Sequence, residues 1–219
     1  MPLGVFRPAF SELCHYLLRF LFSDFNFSIY MLKEIQTRTT VMPAPVFIVG
    51  TYDANGTPDA MNVAWGGQCW DRQVALNISS NHKTTENLRL NKCFTLHIAD
   101  EANTALADYF GIVSGHHTDK FKESGAVAEP AKVVNAPIIA GFRLVMECKV
   151  LSMTDNGDGG TRVVADVVRT VADPAVLGSD GKVDYSLLRP ISYDSEKMLY
   201  RVVADPVGRA FHDGKQFKK

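Results

Sequence analysis

The stretch ISSNHKTTENLRLN (78–91) sets two serines, an asparagine, a histidine, a lysine and two threonines just ahead of a helical pattern. A helix N-terminus leaves backbone N–H groups unpaired and carries partial positive charge. Small hydroxyls and an ammonium around such an end make a site for an anion, often a phosphate. The plainer reading is an ordinary helix cap, with Thr84 or Thr85 capping and Glu86 or Asn87 in the first turn. On this stretch alone both readings stand.

Two other segments are polar where a strand-rich chain needs only turns: NVAWGG (62–67) and FGIVSGHHTDKF (110–121). Gly66 and Gly67 would allow close backbone approach to a ligand, Trp65 would be an aromatic wall, and Lys83 and Lys120 would be cations. Together they suit a flat heteroaromatic molecule with a phosphate tail. Each residue also has a plainer role, the glycine pair as a turn and Trp65 as core. The chain lacks G-x-G-x-x-G after a strand, a Walker loop, G-x-S-x-G and H-E-x-x-H. His116-His117, adjacent on a loop, is weak as a metal pair. Cys69 has no His–Asp arrangement pointing to it and is expected to be a small buried residue.

The elements that must position these residues are mostly strands. VFIVGTYD (46–53) is β-branched and aromatic, and Asn55-Gly56 within DANGTPD (53–59) is a strong hairpin signal. AMNVAWGG (60–67) is expected to return as one strand ending at the glycine pair. QVALNIS (73–79) predicts a third strand, TTENLRLN (84–91) a short helix, and CFTLHIA (93–99) a fourth strand. EANTALADYF (101–110) has helical spacing, and residues 111–121 read as a loop running into a short helix. FRLVMECKVLSMT (142–154) and TRVVADVVRTVA (161–172) predict a long hairpin across DNGDGG (155–160). GSDGKVDYSLLRPISY (178–193) is a turn-rich return, followed by short terminal segments. The expected fold is mainly β, an antiparallel barrel with a few short helices.

The chain has 219 residues, a formal net charge of −1, and 46% hydrophobic and 21% charged residues. That balance fits a globular core without the basic surface of a nucleic-acid binder. Cys14, Cys69, Cys93 and Cys148 lie far apart, which suggests reduced thiols in a cytoplasmic protein. The aromatic run FSELCHYLLRFLFSDFNFSIY (10–30) is broken by Arg19 and Asp24, so it is a poor membrane span or signal peptide. Residues 1–40 are expected to be an N-terminal extension, either disordered or an amphipathic arm, or else the result of a start codon taken too early. The last is favoured, with Met31 as the true beginning. One domain is expected over 41–219.

PVFIVGTYDANGTPDAMNVAWGG (45–67), SSNHKTTENL (79–88) and ADYFGIVSGHHTDKF (107–121) resemble the flavin reductase-like family, close to the flavoredoxins. The likeness runs in order from about Pro43 to Phe121. It continues more loosely through VNAPIIAGFRLVMECKV (134–150) and GRAF (208–211). The resemblance implies an FMN-binding split β-barrel, non-covalent FMN, a homodimer, and electrons drawn from NADH or NADPH. A small-molecule or protein redox partner would take the electrons, and neither nucleic acid nor membrane is implied. By the same resemblance, Asn62, Val63, Ala64 and Trp65 would lie along the isoalloxazine ring. Ser79, Ser80, Lys83 and Thr84 would receive the phosphate. The segment with Ser114, Gly115, Asp119 and Lys120 would close over the flavin, Lys120 being the foremost direct contact. Many relatives carry an arginine where this chain has Ser80, Asn81 and His82, so affinity for phosphate would rest more on Lys83 and Thr84. No catalytic acid or base is implied. Two other readings are a flavoredoxin-type electron carrier reduced by a partner protein, and a flavin-free binding module using its anion site for another phosphate ligand.

Overall fold

The structure, a computed structural model, describes residues 32–218. The alternative readings of residues 1–30, and the proposed start at Met31, lie outside the described residues. Residues 32–39 are exposed and without regular structure, and Thr40–Lys219 form one compact unit.

The body is a seven-stranded antiparallel sheet in the order β3-β2-β6-β9-β10-β5-β4. Its strands are β2 (Phe47–Tyr52), β3 (Pro58–Val63), β4 (Gly66–Trp70), β5 (Gln73–Ser79), β6 (Cys93–Ile98), β9 (Leu144–Asp155) and β10 (Gly160–Ala172). A three-stranded sheet joins β1 (Ala44–Pro45) to β11 (Ile191–Asp194) and β12 (Leu199–Val202). A small ribbon pairs β7 (Ala128–Pro130) with β8 (Pro137–Ile139). Four helices interrupt the strands among the described residues: α1 (Lys83–Asn91), α2 (Thr104–Ile112), α3 (Lys120–Ser124) and α4 (Tyr185–Leu188).

The period of two explains the core. Phe47 and Val49 enter one hydrophobic cluster with Leu76, Leu88, Phe94 and Leu96. Val46 and Ile48 enter another with Phe110, Phe121, Ile139 and Phe142. β2 is therefore buried on both faces, which is why its sequence is almost continuously apolar. The β9–β10 hairpin carries register shifts at Val164/Ala165 and Val167/Arg169. Such bulges bend and twist the strands that carry them.

Three expectations are corrected. The return strand does not run through 60–67: β3 ends at Val63, and β4 starts at Gly66 and pairs with β5. Gly66 serves that sheet contact, because a Cβ there would lie 2.7 Å from Leu76 Cδ2 and 2.8 Å from the Ala75 carbonyl. Gly67 has open space where its Cβ would be, so no protein group requires a glycine there. Cys69 is exposed on β4, while Cys93 and Cys148 are buried. Finally, neither Thr84 nor Thr85 caps α1. The N-cap position is His82, and it makes no side-chain cap bond.

Candidate functional site

The last residues of β3 and β5, the second half of α2 and the β11–β12 hairpin all line one region of the molecule. Between them lies an open cleft of about 570 Å³. Asn62, Val63, Ala64 and Trp65 line it from β3 and the turn after it, Ser79 and His82 from the end of β5 and the start of α1, and Asp108, Gly111 and Ile112 from α2. Tyr193, Met198 and Tyr200 close the far side. Trp65 is a wall and not core, being 74% exposed. The segment at Ala64–Trp65 is fixed from behind, because Asn77 N–H donates to the Trp65 carbonyl at 2.8 Å.

A smaller cavity of about 190 Å³ adjoins the cleft and shares Met61, Asn62, His82, Gly111 and Ile112 with it. Asp59, Lys83, Thr84, Phe110, Val113, Ser114, Gly115 and Lys120 complete its lining. The helix α1 begins here. Its first-turn N–H groups receive no side-chain cap, and Lys83 stands beside them with its Nζ 2.8 Å from Glu86. Hydrogen bonding to Glu86 holds the Lys83 ammonium above its usual range.

Thr84 is committed differently from the expectation. Its Oγ1 donates to Asp59 Oδ2 at 2.8 Å, so the hydroxyl is already bonded within the protein. Asp59 Oδ1 is buried without a hydrogen bond and lies 3.6 Å from Lys120 Nζ. Lys120 is itself buried, donating to the Ala60 carbonyl at 2.6 Å and the Phe110 carbonyl at 3.3 Å. Burial lowers its proton affinity, and Asp59 opposes that shift. Lys120 is thus a buried strut at the edge of the small cavity, with much of its donor capacity taken by protein oxygens. Gly115 is required where it stands, since a Cβ would come within 2.3 Å of Asp59 Oδ1.

Ten of the twelve residues that the resemblance names line one of these two cavities; Ser80 and Asp119 do not. Asp119 instead caps α3, its Oδ1 accepting from Lys122 N–H at 3.0 Å. Ser80 Oγ shares a hydrogen bond with Thr161 Oγ1 at 2.7 Å, and its N–H donates to the Gly159 carbonyl. It secures the end of the β5–β10 pair and turns away from the cleft. His116 Nε2 lies 3.1 Å from the Asn81 carbonyl. Among the described residues, no group of three or more His, Cys, Asp or Glu side chains could hold a metal ion. Nor is any helix among them long and apolar enough to cross a membrane.

Several lining residues have no counterpart in the sequence reading. Asp59 looked like part of a turn. Asp108 accepts a hydrogen bond from the Tyr200 hydroxyl at 2.8 Å, tying α2 to β12. Burial and then Asp108 push the Tyr200 phenol up to about 12, so it stays protonated at neutral pH. Asn62 Nδ2 donates to the Ala107 carbonyl at 2.9 Å, fixing the same helix to β3. Only the tertiary fold brings these groups together, 45 and 92 residues apart in the chain.

An antiparallel split barrel with an open cleft beside an uncapped helix start defines a class of small-ligand-binding β proteins. Within that class the chain belongs to the flavin reductase-like domain family, whose model matches residues 38–187. It is similar to the flavoredoxin of Desulfovibrio vulgaris (Miyazaki F), at 29% identity and a TM-score of 0.80, covering 84% of this chain and 100% of that one. A flavoredoxin from Methanosarcina acetivorans shares the fold at 22% identity and a TM-score of 0.77, covering 85% and 98% of the two chains. An uncharacterized protein of Halalkalibacterium halodurans is 27% identical over 165 residues, 69% of this chain and 78% of that protein.

Proposed function

We propose that the joined cavities hold FMN, and that the chain passes electrons from NADH or NADPH to a small-molecule or protein acceptor. The observation that carries this reading is the start of α1. It has unpaired N–H groups, no side-chain cap, and the Lys83 ammonium alongside, and it opens into a cleft with an aromatic wall. A dianionic phosphate fits the first, and a flat ring system fits the second. Asn62–Trp65 would lie along the ring, Ser79, Lys83 and the Thr84 N–H would hold the phosphate, and Ser114 and Lys120 would close the small cavity. FMN, when bound, supplies the redox chemistry; the protein orients it and shields it from water. The free thiols of Cys69, Cys93 and Cys148 suit a reducing compartment such as the cytoplasm.

A second reading, an electron carrier reduced by a partner protein, is favoured by the likeness to the Desulfovibrio flavoredoxin. It keeps the same FMN site and differs in the electron donor.

The phosphate site makes a direct prediction. FMN should bind at least about tenfold more tightly than riboflavin, since charge-assisted hydrogen bonds at a helix start are worth about 1.5–3 kcal/mol. Lys83→Gln should shrink that ratio without changing riboflavin affinity. Fluorescence titration of the two flavins measures both, and equal affinities would exclude a phosphate site at α1.

A further inference from the structure

Most side-chain donors at the start of α1 are already engaged within the protein. Ser79 Oγ donates to Asn81 Oδ1 at 2.7 Å, Thr85 Oγ1 to the Ser79 carbonyl at 2.7 Å, and the Thr84 hydroxyl to Asp59. The Lys83 ammonium donates to Glu86, and Lys120 donates to two carbonyls. His82 is different. It holds the N-cap position, yet its side chain makes no cap bond, and its ring nitrogens have no hydrogen-bond partner among the described residues. The residue is exposed and lines both the cleft and the small cavity, so a ligand filling the two passes beside it. A neutral imidazole offers such a ligand one donor; the imidazolium offers two and a positive charge.

Charged and titratable groups reach this region from several elements. Asp59 on β3, Asp108 on α2, His116 on the loop after α2 and Lys120 on α3 join Lys83 and Glu86 on the helix that His82 opens. The carboxylates have partners of their own: Asp59 has Thr84 and Lys120, Asp108 has Tyr200, and Glu86 has Lys83. Partial burial first, and then Lys120 and His116, hold the His82 imidazole below its usual range, with Asp59 opposing them. Without a ligand the ring is therefore neutral at and above neutral pH. A phosphate dianion reverses the balance. One charge-assisted hydrogen bond to it raises the proton affinity of an imidazole about 10–100-fold.

We propose, on the reading that this site holds FMN, that His82 is a ligand of its phosphate and that binding takes up a proton from solvent onto the His82 ring. FMN affinity then declines as the pH rises above about 7, because proton uptake on binding makes the complex weaker at higher pH. Riboflavin, which has no phosphate, shows no such decline.

Titration calorimetry of the full chain with FMN, in buffers of different ionisation enthalpy, counts the protons taken up. At about pH 7.5 the free phosphate is already a dianion, its second pKa being about 6, so an uptake belongs to the protein. The wild type should take up about half a proton or more per FMN, and none with riboflavin. His82→Asn places a residue favoured at helix N-caps, so the fold is kept. It should take up no proton and bind FMN about tenfold more weakly. His82→Lys, a permanent cation, should bind FMN about as tightly as the wild type, again without uptake. FMN binding by the wild type without proton uptake would overturn the proposal and leave the FMN reading standing. Uptake that persists in His82→Asn would also overturn it and give the proton to Lys120. Absence of FMN binding would overturn the FMN reading and the role of His82 with it.

Discussion

Replacing Lys120 with methionine should lower the unfolding free energy by about 3–5 kcal/mol, the range for removing one partner of a buried ion pair. Lys120 and Asp59 are both buried, and the 3.6 Å between Nζ and Oδ1 is the closest charge contact that Oδ1 has among the described residues. Methionine keeps most of the volume and removes the charge. The Asp59 carboxylate would then be buried with only the Thr84 hydroxyl to satisfy it, and the Ala60 and Phe110 carbonyls would lose their donor. The double variant Lys120→Met, Asp59→Asn should recover most of the loss, because it removes the stranded charge. Urea unfolding of the three variants and the wild type measures the cycle. A loss below about 1 kcal/mol for Lys120→Met would mean that the pair contributes no more than a surface salt bridge. The pair also ties α3 to β3 beside the small cavity, and Lys120 reaches α2 through the Phe110 carbonyl, so the single variant should bind FMN more weakly at temperatures where it is still folded.

The second large effect is on stability as the pH falls. His97 is fully buried on β6, its Nδ1 2.9 Å from the Ile48 carbonyl and its Nε2 2.9 Å from Ile139 N–H. That arrangement fits one neutral tautomer: Nδ1–H donates and Nε2 accepts. A proton on Nε2 would set two N–H groups against each other, and burial, partly opposed by the hydrogen bond to the Ile48 carbonyl, pushes the imidazole down to about 4. The folded value lies below the unfolded value of 6.5, so the unfolded chain binds the proton first. Stability is full above pH 6.5 and falls through the window down to pH 4, by about 1.4 kcal/mol per unit and about 3 kcal/mol in all. His97→Gln keeps a donor and an acceptor but does not titrate. Its stability at pH 7 should be lower than that of the wild type, and its decline from pH 6.5 to 4 should be smaller by about the same 3 kcal/mol. Parallel pH profiles for the two proteins would show that His97 accepts its proton in the fold.

Much of this architecture could be read locally. QVALNIS alternates and forms β5 over the residues expected, because one face of an antiparallel strand shows in its sequence. Asn55-Gly56 closes the β2–β3 hairpin with Gly56 at φ +79°, the backbone that such a turn needs. The helix after Ser79-Ser80 starts one residue earlier than expected, at Lys83. What could not be read depends on contacts across the fold. The break between β3 and β4 is set by how closely Gly66 passes Leu76 on the neighbouring strand, and nothing in AMNVAWGG encodes that distance. The same holds for the site. Lys83, Thr84 and the segment 62–65 could be named because each sits in a local motif. Asp59 reaches Thr84 and Lys120, and Asp108 reaches Tyr200, only through the tertiary fold. Ser80 differs from its neighbour Ser79 in a way the sequence does not show: its hydroxyl shares a hydrogen bond with Thr161 Oγ1 just beyond the β5–β10 pairing.

The central claim is that this cleft binds FMN and exchanges electrons through it. The most direct test is the absorption spectrum of the purified protein with FMN, recorded before and after anaerobic addition of NADH or NADPH. The account predicts protein-bound oxidised flavin bands that bleach with one of the two nicotinamides. Bands that persist with both, and bleach only with a reduced partner protein, would transfer the assignment to the electron carrier. Failure of FMN to bind would contradict the account and leave the start of α1 as a helix end without a ligand.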